Sequence, residues 1–164
     1  MKFPASTVQT GYDSPLGRIL LAASSNALVG LWFDGQRHQP DTSHWPDAAD
    51  QPVLQRARAQ LNDYFAGRRT AFELPLDLAG GTGFQQAVWR ALLRIPCGAT
   101  VSYGALSADI GKPAAVRAVA GAIARNPLSI IVPCHRVIGA DGALTGYAAG
   151  LERKTALLQL EGQR

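Results

Sequence analysis

Sulfur is scarce in this chain: two cysteines and one methionine in 164 residues. Cys97 and Cys134 are too few for a disulfide framework, so an apolar core must hold the fold. No apolar run approaches the roughly 20 residues that span a bilayer, which excludes a transmembrane helix. The N-terminus, "MKFPASTVQTGYDSPLG", carries one lysine and no continuous apolar stretch, so it does not read as a signal peptide. A reduced, cytoplasmic setting is therefore the expectation. Charged residues are few, at 17%, against 47% apolar, which excludes a disordered chain. Internal repeats and low-complexity segments are also missing.

The little charge present is unevenly placed. Residues 1–80 hold seven Lys/Arg against eight Asp/Glu, and residues 81–164 hold nine against four. A basic second half suggests an anionic partner such as DNA. A solvated basic face explains the same count, and charge alone does not separate the two.

Hydropathy patterning divides the chain in the same place. "PLGRILLAA" (15–23) and "ALVGLWF" (27–33) read as strands joined by the turn "SSN". Residues 34–52 are polar and Pro-rich, hence a surface loop. A helix follows over 53–66, with Val53, Leu54, Ala57, Leu61, Tyr64 and Phe65 on one face and Gly67 as its stop. "TAFELPLDL" (70–78) alternates inward as an edge strand, or is irregular because of Pro75. "AGGTG" (79–83) is the candidate boundary. The expected architecture is an α/β N-terminal domain (1–80) packed on a mainly α C-terminal domain (81–164).

The second half opens on a capping-box spacing, Thr82 and Gln85, ahead of an apolar stripe of Phe84, Val88, Ala91, Leu92 and Ile95. Ser102 suits the N-cap of a short helix that Gly111 ends. A second helix is expected over 113–125, starting at Pro113, with Val116, Val119, Ala120 and Ile123 buried. Together they form a helix-turn-helix candidate. The second helix is flat, with Ala114, Ala118, Gly121 and Ala122 beside Arg117 and Arg125. Small residues suit close approach to another surface and tight helix packing alike.

"IIVPCHRVIGADG" (130–142) concentrates the chemistry. "IIV" reads as a buried strand feeding Cys134 and His135, and 137–146 as a hairpin turning at Asp141-Gly142. A free cysteine in an apolar run is ordinarily a small buried hydrophobe. Here Pro133 fixes the preceding backbone, His135 follows at once, and Arg136 adds a cation that favours thiolate. Neighbours on an extended strand point to opposite faces, so His135 reaches the thiol only through a tight turn or a bridging water. Glu161, ending a helix over 151–162, is a candidate to orient the imidazole.

"IIVPCHRVIG", with "VSYG" upstream, "AVRAVAGAIARNP" between and "GYAAGLERK…LLQLEG" after, closely resembles the O6-alkylguanine-DNA alkyltransferases from about Phe84 to Gly162. The N-terminal third matches that family's ribonuclease-H-like domain only in its order of strands and helix. The resemblance implies a winged helix-turn-helix-like element and transfer of an alkyl group from O6 of guanine to a cysteine. A soft thiolate suits attack on an alkyl carbon, and the thioether formed is no leaving group, so the protein is spent after one turnover. By motif position Cys134 is the acceptor, His135 takes its proton through water, and Glu161 orients the ring. Asn126 supports the Cys-His turn, and Tyr103 donates a proton to the leaving base. Main-chain groups at Val137, Tyr147, Ala148 and Ala149 read the base edge. Arg117 fills the stack that the flipped base vacates, and Ala118, Gly121, Ser102 and Arg125 meet the backbone.

The implied partner is double-stranded DNA bearing O6-alkylguanine, bound by a monomer through the minor groove, about 6 Å wide. No cofactor and no metal are implied: the N-terminal third lacks the cysteines for the zinc of some members, and His38 and His44 sit in a polar loop. Ala149 stands where the family usually has glycine, which is expected to stiffen the loop and narrow the pocket. Activity on O4-methylthymine and cooperative binding along DNA stay open. A cysteine hydrolase is the second reading, opposed by the adjacent placement of Cys134 and His135. A non-enzymatic lesion-binding module is the third, opposed by the retained cysteine.

Overall fold

A computed structural model of the chain describes residues 1–162; the last two residues of the expected C-terminal domain lie outside the described residues. Three antiparallel strands form the N-terminal sheet in the order β1 (Val8–Ser14), β2 (Gly17–Ala23) and β3 (Leu28–Phe33). β2 and β3 match the two apolar runs, and their register slips between Ala22 and Ala23. β1 was not expected, because Gln9, Gly11, Asp13 and Ser14 dilute its signal. Thr10 and Tyr12 nevertheless turn inward with the period of two.

α1 (Pro52–Phe65) covers one face of the sheet, burying Val53, Leu54, Ala57, Leu61 and Tyr64. Every residue of β3 is buried. One face of the sheet meets the main core, and the other meets a small cluster of Trp32, Val29, Ala22 and Trp45. The segment 70–78 takes the irregular alternative. It pairs only through a bridge at Leu76 to Leu28, since Pro75 has no N–H to extend a ladder.

Beyond Gly81 the fold is mainly helical: α2 (Gly83–Leu92), α3 (Tyr103–Asp109), α4 (Val116–Ala124) and α5 (Leu151–Leu160). Both halves of the Thr82–Gln85 capping box form. Trp89, outside the expected stripe, is fully buried and donates from Nε1 to the Ala122 carbonyl at 2.8 Å, tying α2 to α4. Ser102 caps α3 by accepting from the Ala105 N–H. Gly111 turns the chain away at φ 72°, which L-residues rarely adopt.

Three expectations need correction. α4 does not begin at Pro113: Ala115 N–H donates to the Lys112 carbonyl at 2.9 Å, which places Pro113 second in a β-turn. A fixed φ near −65° suits that position as well as a first helical turn, so the sequence signal was ambiguous. Val116 therefore opens the helix and is 38% exposed, while Val119, Ala122 and Ile123 are buried.

Residues 130–132 are not a strand but a tight turn, with Ile130 at φ 73°. A β-branched residue there is strained by about 1–3 kcal/mol. Nor do residues 137–146 form a hairpin. β5 (Val137–Ile138) pairs in parallel with β4 (Val101–Ser102), and Asp141-Gly142 turns an otherwise irregular loop.

The two halves meet along β3. Leu31 N–H donates to the Pro127 carbonyl at 2.8 Å, and Ser129 N–H donates to Leu31 at 3.0 Å. The N-terminal sheet therefore holds the segment that leads into Cys134.

Candidate active site

Pro133 ends the strained turn, and Cys134–Arg136 form a single 3₁₀ turn. That turn resolves the geometric objection raised by strand alternation. The thiol and the imidazole leave the backbone about a third of a turn apart, not on opposite faces. Cys134 is 5% exposed and lines a cavity of about 120 Å³ with Tyr103, Ile123, Tyr147 and Ala148.

Asn126 braces the turn from the end of α4. Its Nδ2 donates to the Val132 carbonyl at 2.8 Å and to Cys134 Sγ at 3.1 Å, while its Oδ1 accepts from Leu128 N–H. Burial pushes the thiol up. The Asn126 hydrogen bond, the Lys154 charge and the nearby Tyr147 hydroxyl act in the opposite direction.

Behind the thiol lies a closed polar network. His135 is fully buried, with Nε2 2.8 Å from Glu161 Oε1. Arg136 grips the same carboxylate with both ends of its fork, at 2.9 Å to Oε2 and 2.8 Å to Oε1. Burial alone would raise the Glu161 carboxyl. Hydrogen bonds from His135 and Arg136, with their charges, overcome it and hold the group at about 2. Burial lowers His135 against the pull of Glu161, so the ring is neutral near pH 7. An ionised carboxylate only accepts, which places the ring proton on Nε2 and leaves a lone pair on Nδ1. That Nδ1 is buried without a protein partner.

Arg136 is thus not the cation that acts on the thiol; Glu161 and the Ile95 carbonyl take its donors. Lys154 fills that place. It is fully buried, and its Nζ donates to the carbonyls of Val137 at 2.6 Å and Thr145 at 3.1 Å. Burial lowers it to about 8, so it stays charged at neutral pH.

The substrate side is looser. Tyr103 is half-buried and donates to the Thr145 carbonyl at 3.1 Å; the Tyr147 hydroxyl is buried without a hydrogen-bond partner. Tyr147 and Ala148 line the cavity with Cys134, but Val137 and Ala149 do not. Ala149 lines a separate cleft with Pro15 and Leu16. Arg117 and Ala118 are exposed on α4, Gly121 is partly covered, and Arg125 is exposed with Nη1 on the Gly121 carbonyl. Among the described residues, no three His, Cys, Asp or Glu side chains converge as a metal site.

Family comparison agrees with this geometry. A model for the ribonuclease-like domain of 6-O-methylguanine DNA methyltransferase matches residues 7–78, and one for its DNA-binding domain matches 83–163. The chain belongs to the 6-O-methylguanine DNA methyltransferase family. The methylated-DNA–protein-cysteine methyltransferase of Mycobacterium tuberculosis is 51% identical over 152 residues, covering 93% of this chain and 90% of the relative. The enzyme of the same name from Haemophilus influenzae is 43% identical over 153 residues, 93% and 84% of the two chains. The crystal structure of Mycobacterium tuberculosis OGT in complex with DNA superposes with a TM-score of 0.85. It is 50% identical and covers 92% of this chain and 90% of that one.

Three residues at this methyltransferase site escaped the sequence reading. Lys154 lies one turn before Leu157 and Leu158 and two before Glu161, so a lysine on a buried helical face was the available signal. Arg37 lines the cavity, and its N–H donates to the Ala148 carbonyl at 3.0 Å. Arg153 donates to Leu16 at 2.9 Å and Ala149 at 3.2 Å, with its guanidinium over the Phe33 ring. Both arginines depend on contacts between the two halves, and no local pattern marks them.

Proposed function

We propose that this protein repairs O6-alkylguanine in double-stranded DNA by moving the alkyl group onto Cys134 in one irreversible turnover. The observation that carries the reading is a buried thiol on the wall of a cavity, held by Asn126, with a neutral imidazole on an ionised carboxylate behind it.

Nδ1 of His135 takes the thiol proton through one water, and Glu161 stabilises the imidazolium. The thiolate attacks the alkyl carbon, the S–C bond forms, and the C–O6 bond breaks. Tyr103 leaves the Thr145 carbonyl and supplies a proton to the base, so guanine departs neutral and the net proton passes from thiol to guanine. Val137, Tyr147, Ala148 and Ala149 hold the base with main-chain groups. Of these four, Tyr147 and Ala148 line the cavity with Cys134, which puts their main chain nearest the acceptor.

A base inside the duplex must be flipped out, at a few kcal/mol. α4 enters the minor groove by its flat face of Ala118 and Gly121, Arg117 fills the vacated stack, and Ser102 and Arg125 bind the backbone. The protein acts as a cytoplasmic monomer without cofactor, with domains at 1–80 and 81–164. Because backbone contacts dominate, DNA affinity falls steeply with salt and depends little on sequence.

Intact mass after incubation with an O6-methylguanine duplex, followed by peptide mapping, tests the reading. One added methyl on Cys134, absent in Cys134→Ser and present in Cys97→Ser, is the expected result. Bound lesion DNA without added mass would replace it with a lesion-binding module.

A further inference from the structure

The catalytic network is not confined to the C-terminal domain. Tyr64, on the inner face of α1, reads in the sequence as one more apolar-face residue, and its ring is 2% exposed. Its hydroxyl nevertheless donates to Glu161 Oε1 at 2.8 Å. That oxygen also accepts from His135 Nε2 and Arg136 Nη2, each at 2.8 Å. Three donors therefore share the oxygen that faces the imidazole.

We propose that Tyr64 is a positioning residue of alkyl transfer: by donating to Glu161 Oε1, it sets how strongly Glu161 holds the protonated imidazole of His135. The role rests on the reading of His135 as the base. Arg136 already fixes the carboxylate through two bonds, so Tyr64 is not needed to orient it. What the phenol adds is competition for charge. A carboxylate oxygen that accepts a third hydrogen bond has less electron density for the imidazolium, and the base is weaker for it.

The phenol is suited to a fixed donor. Burial, then the Glu161 charge, push its ionisation far above the usual tyrosine range, so it keeps its proton at every working pH. The groups around His135 are few: Glu161 and Lys154 from α5, Arg136 and Cys134 from its own turn, Tyr64 from α1, and Cys97 beyond Arg136. Among them only Tyr64 and Cys97 come from outside the Cys134–Arg136 turn and α5. Cys97 reaches the network through its field on Glu161, Arg136 and Tyr64 and not through a hydrogen bond, so Tyr64 is the direct link from the N-terminal domain.

The test follows the His135 imidazole by NMR titration of the full-length protein without DNA, in the wild type and in Tyr64→Phe. The Phe ring keeps the packing against Phe72 and Phe65. Loss of the hydroxyl is expected to raise the His135 midpoint by roughly half to one pH unit, the size of one hydrogen bond. The methyl-transfer rate on the acid side of that midpoint should fall by about 3- to 10-fold, and the alkaline rate should not fall.

Site-specific 3-fluorotyrosine at position 64, a stronger donor of the same shape, should move the midpoint the other way. In a Glu161→Gln background, Tyr64→Phe should move nothing. An unchanged midpoint, or one uniform rate loss at all pH values, would reduce Tyr64 to packing. A shift that survives Glu161→Gln would show that it acts by another route. Absence of methyl on Cys134 in the wild type would defeat the alkyltransferase reading alone, since the titration needs no substrate.

Discussion

On one side of Cys134, Glu161 is gripped by His135, Arg136 and Tyr64 through four hydrogen bonds of 2.8–2.9 Å, and its side chain is 1% exposed. On the other side, the Tyr147 hydroxyl has no partner, Tyr103 leans on one loop carbonyl, and residues 139–146 carry little regular structure. The contrast fits the two tasks proposed for these residues. A proton relay works through fixed donor geometry, and its buried charges are costly unless every one is paired. A pocket that must admit a flipped base and then release it is better held by few bonds, which open at low cost.

Removing the nucleophile breaks the comparison most completely. Cys134→Ser should abolish methyl transfer while Glu161 still holds His135, as read by mass and by imidazole titration. Next comes the proposed relay. Glu161→Gln leaves Arg136 buried without its counter-charge, and a loss of roughly 3–5 kcal/mol is expected in denaturant unfolding.

The same carboxylate sets an acid limit. Its folded value, about 2, lies below its ordinary 4.5, so its contribution is full above the unfolded value and vanishes as pH falls through the folded one. About 3 kcal/mol should therefore be lost between roughly pH 4.5 and pH 2, and Glu161→Gln should flatten that slope.

Lys154 joins the two sides, since it lies near the thiol and pins the pocket loop. Lys154→Met keeps the bulk, removes the cation and frees the Val137, Thr145 and Gly146 carbonyls. Transfer should slow by about 10-fold or more, with a raised thiol midpoint by thiol-reactivity titration. Arg153→Leu touches only the looser side. It should speed hydrogen exchange over residues 147–150 and slow transfer several-fold, with the His135 midpoint unmoved.

The smallest effect separates a corrected element from its neighbour. Val116→Ala should change stability by less than about 0.5 kcal/mol, because it sits at an exposed helix start. Val119→Ala, fully buried three residues further along the same helix, should cost about 1–3 kcal/mol.

Much of the fold was legible where one local rule had one outcome. The Thr82–Gln85 capping box, the Ser102 cap, the α1 stripe and the two strands flanking "SSN" all formed as read. Reading failed where one residue type serves two geometries. Pro113 fits a helix start and a β-turn equally. The apolar run "IIV" fits a strand and a strained turn, and the choice went to the turn because Asn126 and β3 hold it there. β1 was missed because its outward positions are polar and one of them is Gly11, although Thr10 and Tyr12 keep the strand period.

For the site, local pattern and motif were enough to single out Cys134, His135, Asn126, Tyr103 and Glu161, since reactive residue types at close spacing are visible in one dimension. Tertiary structure decided which cation faces the thiol. Arg136 and Lys154 are both near it along the chain or in space, and only the fold turns Arg136 to Glu161 and leaves Lys154 for Cys134. It also decided that Tyr64, 70 residues before Cys134, meets Glu161 beside His135. A hydrogen bond between partners 97 residues apart leaves no periodicity in a sequence; it exists only once α1 has packed beside the end of α5.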